Sequence, residues 1–325
     1  MMRIAILDAP QRFRIADEPV PEIGPHQVLL RVAACGVCTS ELDVWEGKAG
    51  TDRLPRAIGH EVSGTVECAG ADVTGIAPGD RVAAWVTGRG FAGYVAVDAA
   101  HCFAAGDVPI DLALGEPLAC AVNAVERADP SLADDVVIVG AGFMGNLVQL
   151  LAQLRGPRSV IVADTRPDAL GRATALGATH TVDVRSQSLR EVVDTVTGRK
   201  GVDVAFEVTG VQGGLDAAGE VTRMEGTLAI VGYHQGGLRE IPLARWNWMA
   251  YRIANCHFRD VGTILHGMET GMRLLRSGRL ALDGLVSHRF PLEEIGAAFE
   301  TAHAKPPGFV KATVVMDRST DGDGA

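Results

Sequence analysis

Between residues 135 and 154 the β-branched run Asp135-Val136-Val137-Ile138-Val139 passes through Gly140-Ala141-Gly142-Phe143-Met144-Gly145 into a segment carrying Leu147, Val148, Leu150, Leu151 and Leu154 at helical spacing. No other stretch narrows the fold so far. A buried strand that turns at once into a helix belongs to a βαβ unit, and such units build parallel sheets covered on both faces. The glycine spacing adds a chemical reading. Gly140 allows a tight turn, Gly142 lets the main chain approach a pyrophosphate, and Gly145 lets helix pack on strand. Phe143 and Met144 stand in the first helical turn, whose N-terminus faces the anion. Asp164 ends the next predicted strand, about 20 residues on, where a carboxylate accepts from ribose hydroxyls and repels a 2′-phosphate. NAD is therefore expected over NADP, with Arg166 as the one neighbour able to meet a phosphate.

The rest of the chain has three textures. The first ~120 residues, about a domain's length, alternate short apolar runs with turns: Val28–Val32, Glu61–Val66 and Arg81–Val86, with Pro78-Gly79-Asp80 as a turn. They read as an all-β unit, a small barrel. From there on, strands at Val160–Ala163, Val202–Glu207 and Thr227–Val231 alternate with helices near Asp168–Leu176 and Gly213–Thr222. The last part predicts a helix over Thr263–Arg276, stopped by Gly278, and another over Pro291–Ala304 with Pro291 early in it. Lys311–Met316 reads as a closing strand, and the polar tail Asp317–Ala325 is expected to fray. The expected division is 1–122, 123–258 and 259–325.

With 325 residues, 47% hydrophobic and 22% charged, the chain can bury a substantial core, which excludes global disorder. Its net charge of −10 argues against nucleic acid as a partner. No apolar run reaches the ~20 residues of a membrane span. Met1–Leu7 turns polar at Asp8 and reads as a first strand rather than a signal peptide, so a cytoplasmic location is expected. Six cysteines in a chain of this length are then mostly buried hydrophobes, with metal or catalytic duty for one or two.

Cys35-Gly36-Val37-Cys38-Thr39-Ser40-Glu41 and Gly59-His60-Glu61 carry borderline-soft donors suited to Zn²⁺. A structural zinc site would need a second CxxC, and none exists. A thiol–disulfide motif belongs at a βα junction, whereas this one lies in the all-β part. Glu116 and Cys120, just before the nucleotide-binding part, are candidates for a third donor.

With these stretches the chain resembles the zinc-containing medium-chain dehydrogenase/reductase family over nearly its whole length. The likeness rests on Cys35–Glu41, Gly59–Gly64, Pro78–Val82, Phe91–Tyr94, Glu116–Leu118, Gly140–Gly145 and Gly308–Val314. Glu116-Pro117-Leu118 followed by Asn123-Ala124 is more similar to polyol, sorbitol and aminocyclitol dehydrogenases than to ethanol dehydrogenases. The resemblance implies an α/β protein, a GroES-like β-barrel catalytic domain plus a doubly wound Rossmann sheet, with the C-terminal segment returning to the barrel. It assigns one catalytic zinc to Cys38, His60 and Glu116. Relatives that use a third cysteine carry it at the position of Ala119, so Cys120 is out of register. Glu61 is implied as a group that can approach the metal, and Glu41 as one that orients His60. The resemblance gives Ser40 the substrate's proton. Many relatives have a relay histidine where this chain has Asp43, so the proton route through Asp43 or water departs from the family. Trp85–Phe91 runs straight across the region where many relatives carry a four-cysteine lobe, so no structural zinc is expected. Val208, Thr209, Gly210, Val231 and Gly232 are implied near a nicotinamide ring, and Lys311 near the pyrophosphate.

The implied reaction moves a hydride between a small secondary alcohol, or the matching ketone, and NAD. Trp45, Phe91, Asn123 and Trp246-Asn247-Trp248 are candidates to line the pocket, although for the tryptophans a core or subunit-interface place is the favoured reading. Rival readings are a threonine-type amino-alcohol dehydrogenase, a zinc-free quinone or enoyl reductase, and a non-catalytic dinucleotide-binding protein. Cys38, His60 and Glu116 together speak against the zinc-free reading, and Ser40 beside them speaks against the non-catalytic one. A homodimer or homotetramer is implied by resemblance alone.

Overall fold

The computed structural model describes residues 1–316; the tail expected to fray lies outside the described residues. The chain forms two compact units, Met1–Pro117 with the segment from Met268 onward, and Leu118–Gly267. Both divisions fall inside helices, Gly115–Ala128 and Val261–Arg276.

The second unit is built on six parallel strands in the spatial order His180–Asp183, Ser159–Asp164, Asp135–Val139, Val202–Glu207, Thr222–Ile230, Arg252–Asn255. Numbered along the chain, this is the order 3-2-1-4-5-6 of the doubly wound sheet, which reverses direction between Asp135–Val139 and Val202–Glu207. Val136, Val137, Ile138, Val160, Ile161 and Val162 are all buried, because helices cover both faces of such a sheet. Helices Phe143–Gln153, Pro167–Ala175, Leu189–Thr197 and Gln212–Val221 alternate with the strands. The strand His180–Asp183 has no periodic signal of its own, since only Val182 of its four residues is buried. Ser188 caps the next helix by accepting from the Glu191 amide.

The first unit holds a mostly antiparallel seven-stranded sheet. Its long strand Gln27–Gly36 takes three partners. Glu61–Ala69 lies along one edge, while Tyr94–Asp98 and Ala312–Val315 share the other. Val28, Leu30, Val32, Val62, Val66, Val82 and Val95 fill the core beneath it. The helix Ile295–Ala304 closes that core with Phe299, whose ring lies 4.9 Å from Phe13 and 5.8 Å from Phe91. Pro291, expected early in this helix, instead ends the strand His288–Pro291 and precedes a short 3₁₀ turn over Leu292–Glu294. That strand is the last in its sheet, where a residue without an N–H is tolerated. Among the described residues no helix is long and apolar enough to cross a membrane.

Ile138 is fully buried at the centre of the parallel sheet. Ile138→Ala is expected to cost about 2–5 kcal/mol, through lost burial and the cavity left behind. Urea unfolding of the chain followed by tryptophan fluorescence checks this; a midpoint unchanged within error would contradict the packing described.

Candidate active site

In the first unit the antiparallel register sets Gly36 opposite Glu61. Cys38, two residues beyond Gly36, and His60, one before Glu61, therefore leave the same end of the sheet. Cys38 is the N-cap of helix Thr39–Trp45, which puts Ser40 and Glu41 in its first turn. The sulfur of Cys38, the imidazole of His60 and the carboxylate of Glu61 all lie within 4.8 Å of one another. Among the described residues this is the one such cluster of three metal-ligating side chains.

Glu41 organises the cluster. Its Oε1 accepts from the Gly59 amide at 2.6 Å and lies 2.9 Å from His60 Nδ1, while Oε2 accepts from the Cys38 amide at 3.4 Å. With Nδ1 engaged, Nε2 is the ring nitrogen left for a metal. Ser40 Oγ donates to Cys38 Sγ at 3.3 Å. Burial alone would pull the His60 pKa down, but Glu41 and Cys38 outweigh it and hold the imidazole well above its usual value. Burial, helped by Glu41 and Glu61, pushes the Cys35 thiol well up. Cys35 thus stays a neutral thiol, and of the two cysteines in the motif Cys38 alone stands in the cluster. Asp43 sits in the same short helix, where burial raises its carboxyl and the nearby Lys48 opposes that.

Lys311, which the resemblance implied near a pyrophosphate, is here engaged with Glu61. Pairing of Thr313 with Gly36 draws the C-terminal strand against this site. Lys311 Nζ lies 2.7 Å from Glu61 Oε1 and 2.6 Å from Oε2, and donates to the Val37 carbonyl at 2.9 Å. Both side chains are buried. Burial would lower the ammonium's pKa, yet Glu61 and the other nearby acids raise it overall. Gly36 makes the space: a Cβ there would sit 1.9 Å from Glu61 Oε2. Glu116, in the first turn of helix Gly115–Ala128, is not one of the three clustered residues, but its charge is among those raising Lys311.

In the second unit Gly140 has φ +107°, and a Cβ on Gly145 would strike the Gly140 carbonyl at 1.9 Å. A Cβ on Gly142 would meet nothing within 4 Å. The main chain is therefore tight where helix meets strand and open at Gly142, with buried Phe143 and half-buried Met144 starting the helix. Asp164 accepts from the Ala141 amide at 2.7 Å and the Arg166 amide at 2.8 Å, so it braces this loop. Val208, Thr209 and Gly210 follow one neighbouring strand, and Val231 and Gly232 follow the next. They share the carboxyl edge with Gly140, whose Cβ would lie 2.9 Å from Thr209 Cγ2. That edge, at the point where strand order reverses, is where doubly wound sheets bind ligands.

The pocket candidates fare differently. Trp45 and Phe91 belong to the first unit's core, where Trp45 is 6.1 Å from Phe299. Trp246 is buried in the second unit's core beside Tyr251, while Trp248 is 80% exposed. Asn123 is buried and donates to the Thr263 carbonyl at 3.0 Å, tying two helices together.

Residues 24–109 match the family model described as "Alcohol dehydrogenase GroES-like domain", and residues 144–264 match "Zinc-binding dehydrogenase". The chain is 31% identical to sorbitol dehydrogenase of Gallus gallus over 324 residues, covering 89% of this chain and 90% of that one. The chain belongs to the zinc-containing medium-chain dehydrogenase/reductase family. Among solved structures it is similar to 2R,3R-butanediol dehydrogenase from Bacillus subtilis, with 26% identity and a TM-score of 0.86 over 98% of this chain and all of that one. It is also similar to a protein of Sinorhizobium meliloti 1021 solved bound to NADP, at 26% identity and a TM-score of 0.84, covering 97% and 99%. Membership agrees with the two units: a GroES-like part carrying Cys38 and His60, and a Rossmann-like parallel sheet.

Sequence reasoning missed three residues of this edge, Glu207, His234 and Arg239. They follow no motif spacing; an acid directly ending an apolar strand, Val202–Glu207, is the only hint.

Burial pushes the Cys102 thiol up to about 12 and the Cys256 thiol up to about 11. A raised thiol pKa means less thiolate at pH 8. Both are expected to resist iodoacetamide at pH 8 while exposed Cys68 reacts. Peptide mass spectrometry of the alkylated native chain reads the order, and early labelling of Cys256 would contradict the burial assigned to it.

Proposed function

We propose that the chain is an NAD-dependent zinc dehydrogenase acting on a small secondary alcohol of polyol, cyclitol or aminocyclitol type, or on the matching ketone. The observation that carries this reading is the Cys38–His60–Glu61 cluster with the Ser40 hydroxyl on the Cys38 sulfur. One thiolate, one imidazole and carboxylates form a donor set that fits zinc, and the set resembles an open catalytic site rather than a closed structural one. Cys38, His60 and Glu116 would hold the metal, with Glu61 able to approach it. A nicotinamide dinucleotide fits the loop at Gly140–Gly145, where the main chain at Gly142 is open and the helix N-terminus suits a pyrophosphate.

When bound, zinc supplies Lewis acidity toward the substrate oxygen and the nicotinamide ring supplies the hydride acceptor. The chain's own residues do the rest. Glu41 fixes the ring of His60 and the cap of the Cys38 helix. Ser40 takes up the proton of the substrate hydroxyl, and Asp43 or water carries it away, in place of the histidine many relatives use. Lys311 holds the Glu61 carboxylate in place. Asp164 favours NAD, since a carboxylate accepts from ribose hydroxyls and repels a 2′-phosphate. The exposed edge strand Arg252–Asn255, with half-exposed Ile253 and exposed Trp248 nearby, supports a homodimer or homotetramer.

Elemental analysis of the purified chain is expected to give about one zinc per chain, as a single open site requires. Glu116→Ala should lose most of it and Cys120→Ser should keep it. If Cys120→Ser alone strips the metal, Glu116 is not the third ligand; if no zinc binds even on reconstitution, the metal mechanism fails. The zinc-loaded chain should reduce NAD⁺ with some member of a panel of polyols, cyclitols and amino alcohols. Asp164→Ser should lower the NAD-to-NADP ratio of kcat/KM by about tenfold or more, the scale of one lost repulsive contact; an unchanged ratio would remove Asp164 from cofactor choice.

A further inference from the structure

Strand Val202–Glu207 ends in a carboxylate with no exposed surface. Its Oε1 accepts from the Thr209 amide at 2.7 Å, the Thr209 hydroxyl at 2.5 Å and the Gly210 amide at 2.9 Å. Its Oε2 lies 2.7 Å from His234 Nε2. The other ring nitrogen, Nδ1, lies 3.1 Å from Arg239 Nε. A guanidinium nitrogen only donates, so Nδ1 accepts and the ring proton sits on Nε2, donating to Glu207. The imidazole is thus a neutral bridge between a cation and a buried anion. Arg239 Nη2 donates to the Gly210 carbonyl at 3.1 Å and the Gln235 carbonyl at 2.9 Å, and Nη1 to the Gly237 and Leu238 carbonyls at 3.3 Å each.

The bridge joins two turns that lie side by side. The Glu207 carbonyl accepts from the Val231 and Gly232 amides at 2.8 and 2.9 Å. A Cβ on Gly232 would fall 2.2 Å from the Gly210 amide nitrogen and 2.6 Å from Glu207 Oε2. The turn at 208–210 and the loop at 231–239 are therefore pressed together, with Glu207, His234 and Arg239 as their side-chain fastening. Hydrogen bonds in such a chain polarise one another, so losing one member loosens the others.

We propose that Glu207, His234 and Arg239 are positioning residues that preorganise the nicotinamide half of the dinucleotide site, leaving the adenosine half to Asp164 and Gly140–Gly145. This rests on the dinucleotide reading above. Preorganised groups bind more tightly because the ordering cost is met before the ligand arrives. The fastening therefore acts on ligands that carry the nicotinamide ring and not on ADP-ribose, which lacks it.

The test uses the full chain, zinc-loaded, with NADH followed by fluorescence titration and ADP-ribose by calorimetry. His234→Ala should raise the NADH dissociation constant about tenfold and leave that of ADP-ribose within about twofold, as lost preorganisation on one half predicts. His234→Gln, which keeps a neutral N–H donor for Glu207, should recover NADH affinity to within about threefold. Arg239→Ala, at the outer end of the chain, should weaken NADH with the same selectivity. Hydrogen exchange at amides 208–210 should quicken in His234→Ala. The proposal is overturned if both ligands weaken alike, if neither changes, or if the Gln variant behaves as the Ala variant. A wild-type chain that binds neither NADH nor ADP-ribose defeats the dinucleotide reading itself, an outcome seen before any variant is made.

Discussion

The first unit is assembled from both ends of the chain, and where they meet the ammonium of Lys311 lies against the carboxylate of Glu61. Burying two such charges costs several kcal/mol each before their attraction is counted. Close contact at 2.6–2.7 Å and a further hydrogen bond to the Val37 carbonyl offset that cost. Removing one partner of such a pair is strongly destabilising, because it leaves the other charge buried alone. The register of Ala312–Val315, with Thr313 opposite Gly36, brings the ammonium onto Glu61. That register also holds Glu61 within reach of Cys38 and His60.

The same physical device recurs within each unit. A carboxylate receives main-chain amides and thereby fixes a loop that carries chemistry. Glu41 takes the amides of Cys38 and Gly59, Asp164 those of Ala141 and Arg166, and Glu207 those of Thr209 and Gly210. Charge-assisted bonds of this kind are shorter and stronger than neutral ones, so one side chain can order several peptide groups. The chain's net charge of −10 thus includes acids that work inward on its own backbone.

The two units also divide the demands on glycine. At Gly145 the absence of a side chain permits helix and strand to touch, and at Gly36 it makes room for the Glu61 carboxylate. The first is written into a local motif. The second depends on a residue far along the chain and has no local signature.

Much of this was legible in the linear sequence. Short apolar runs marked the parallel strands Asp135–Val139, Ser159–Asp164 and Val202–Glu207, because a strand buried on both faces is apolar along most of its length. The glycine loop, Asp164, Cys38 and His60 were readable because each sits at a fixed offset from a predicted element, and local geometry transmits such offsets faithfully. The short strand His180–Asp183, the helical setting of Glu116 and the place of Pro291 were not, since tertiary pairing overrides weak local preference there. Which partner Lys311 takes, whether Trp246 lies in a core or a pocket, and how His234 and Arg239 reach Glu207 were decided only in three dimensions. Those outcomes depend on desolvation and on contacts between segments brought together by sheet order. Residue identity names the groups available for such contacts, but only the packed chain determines which of them meet.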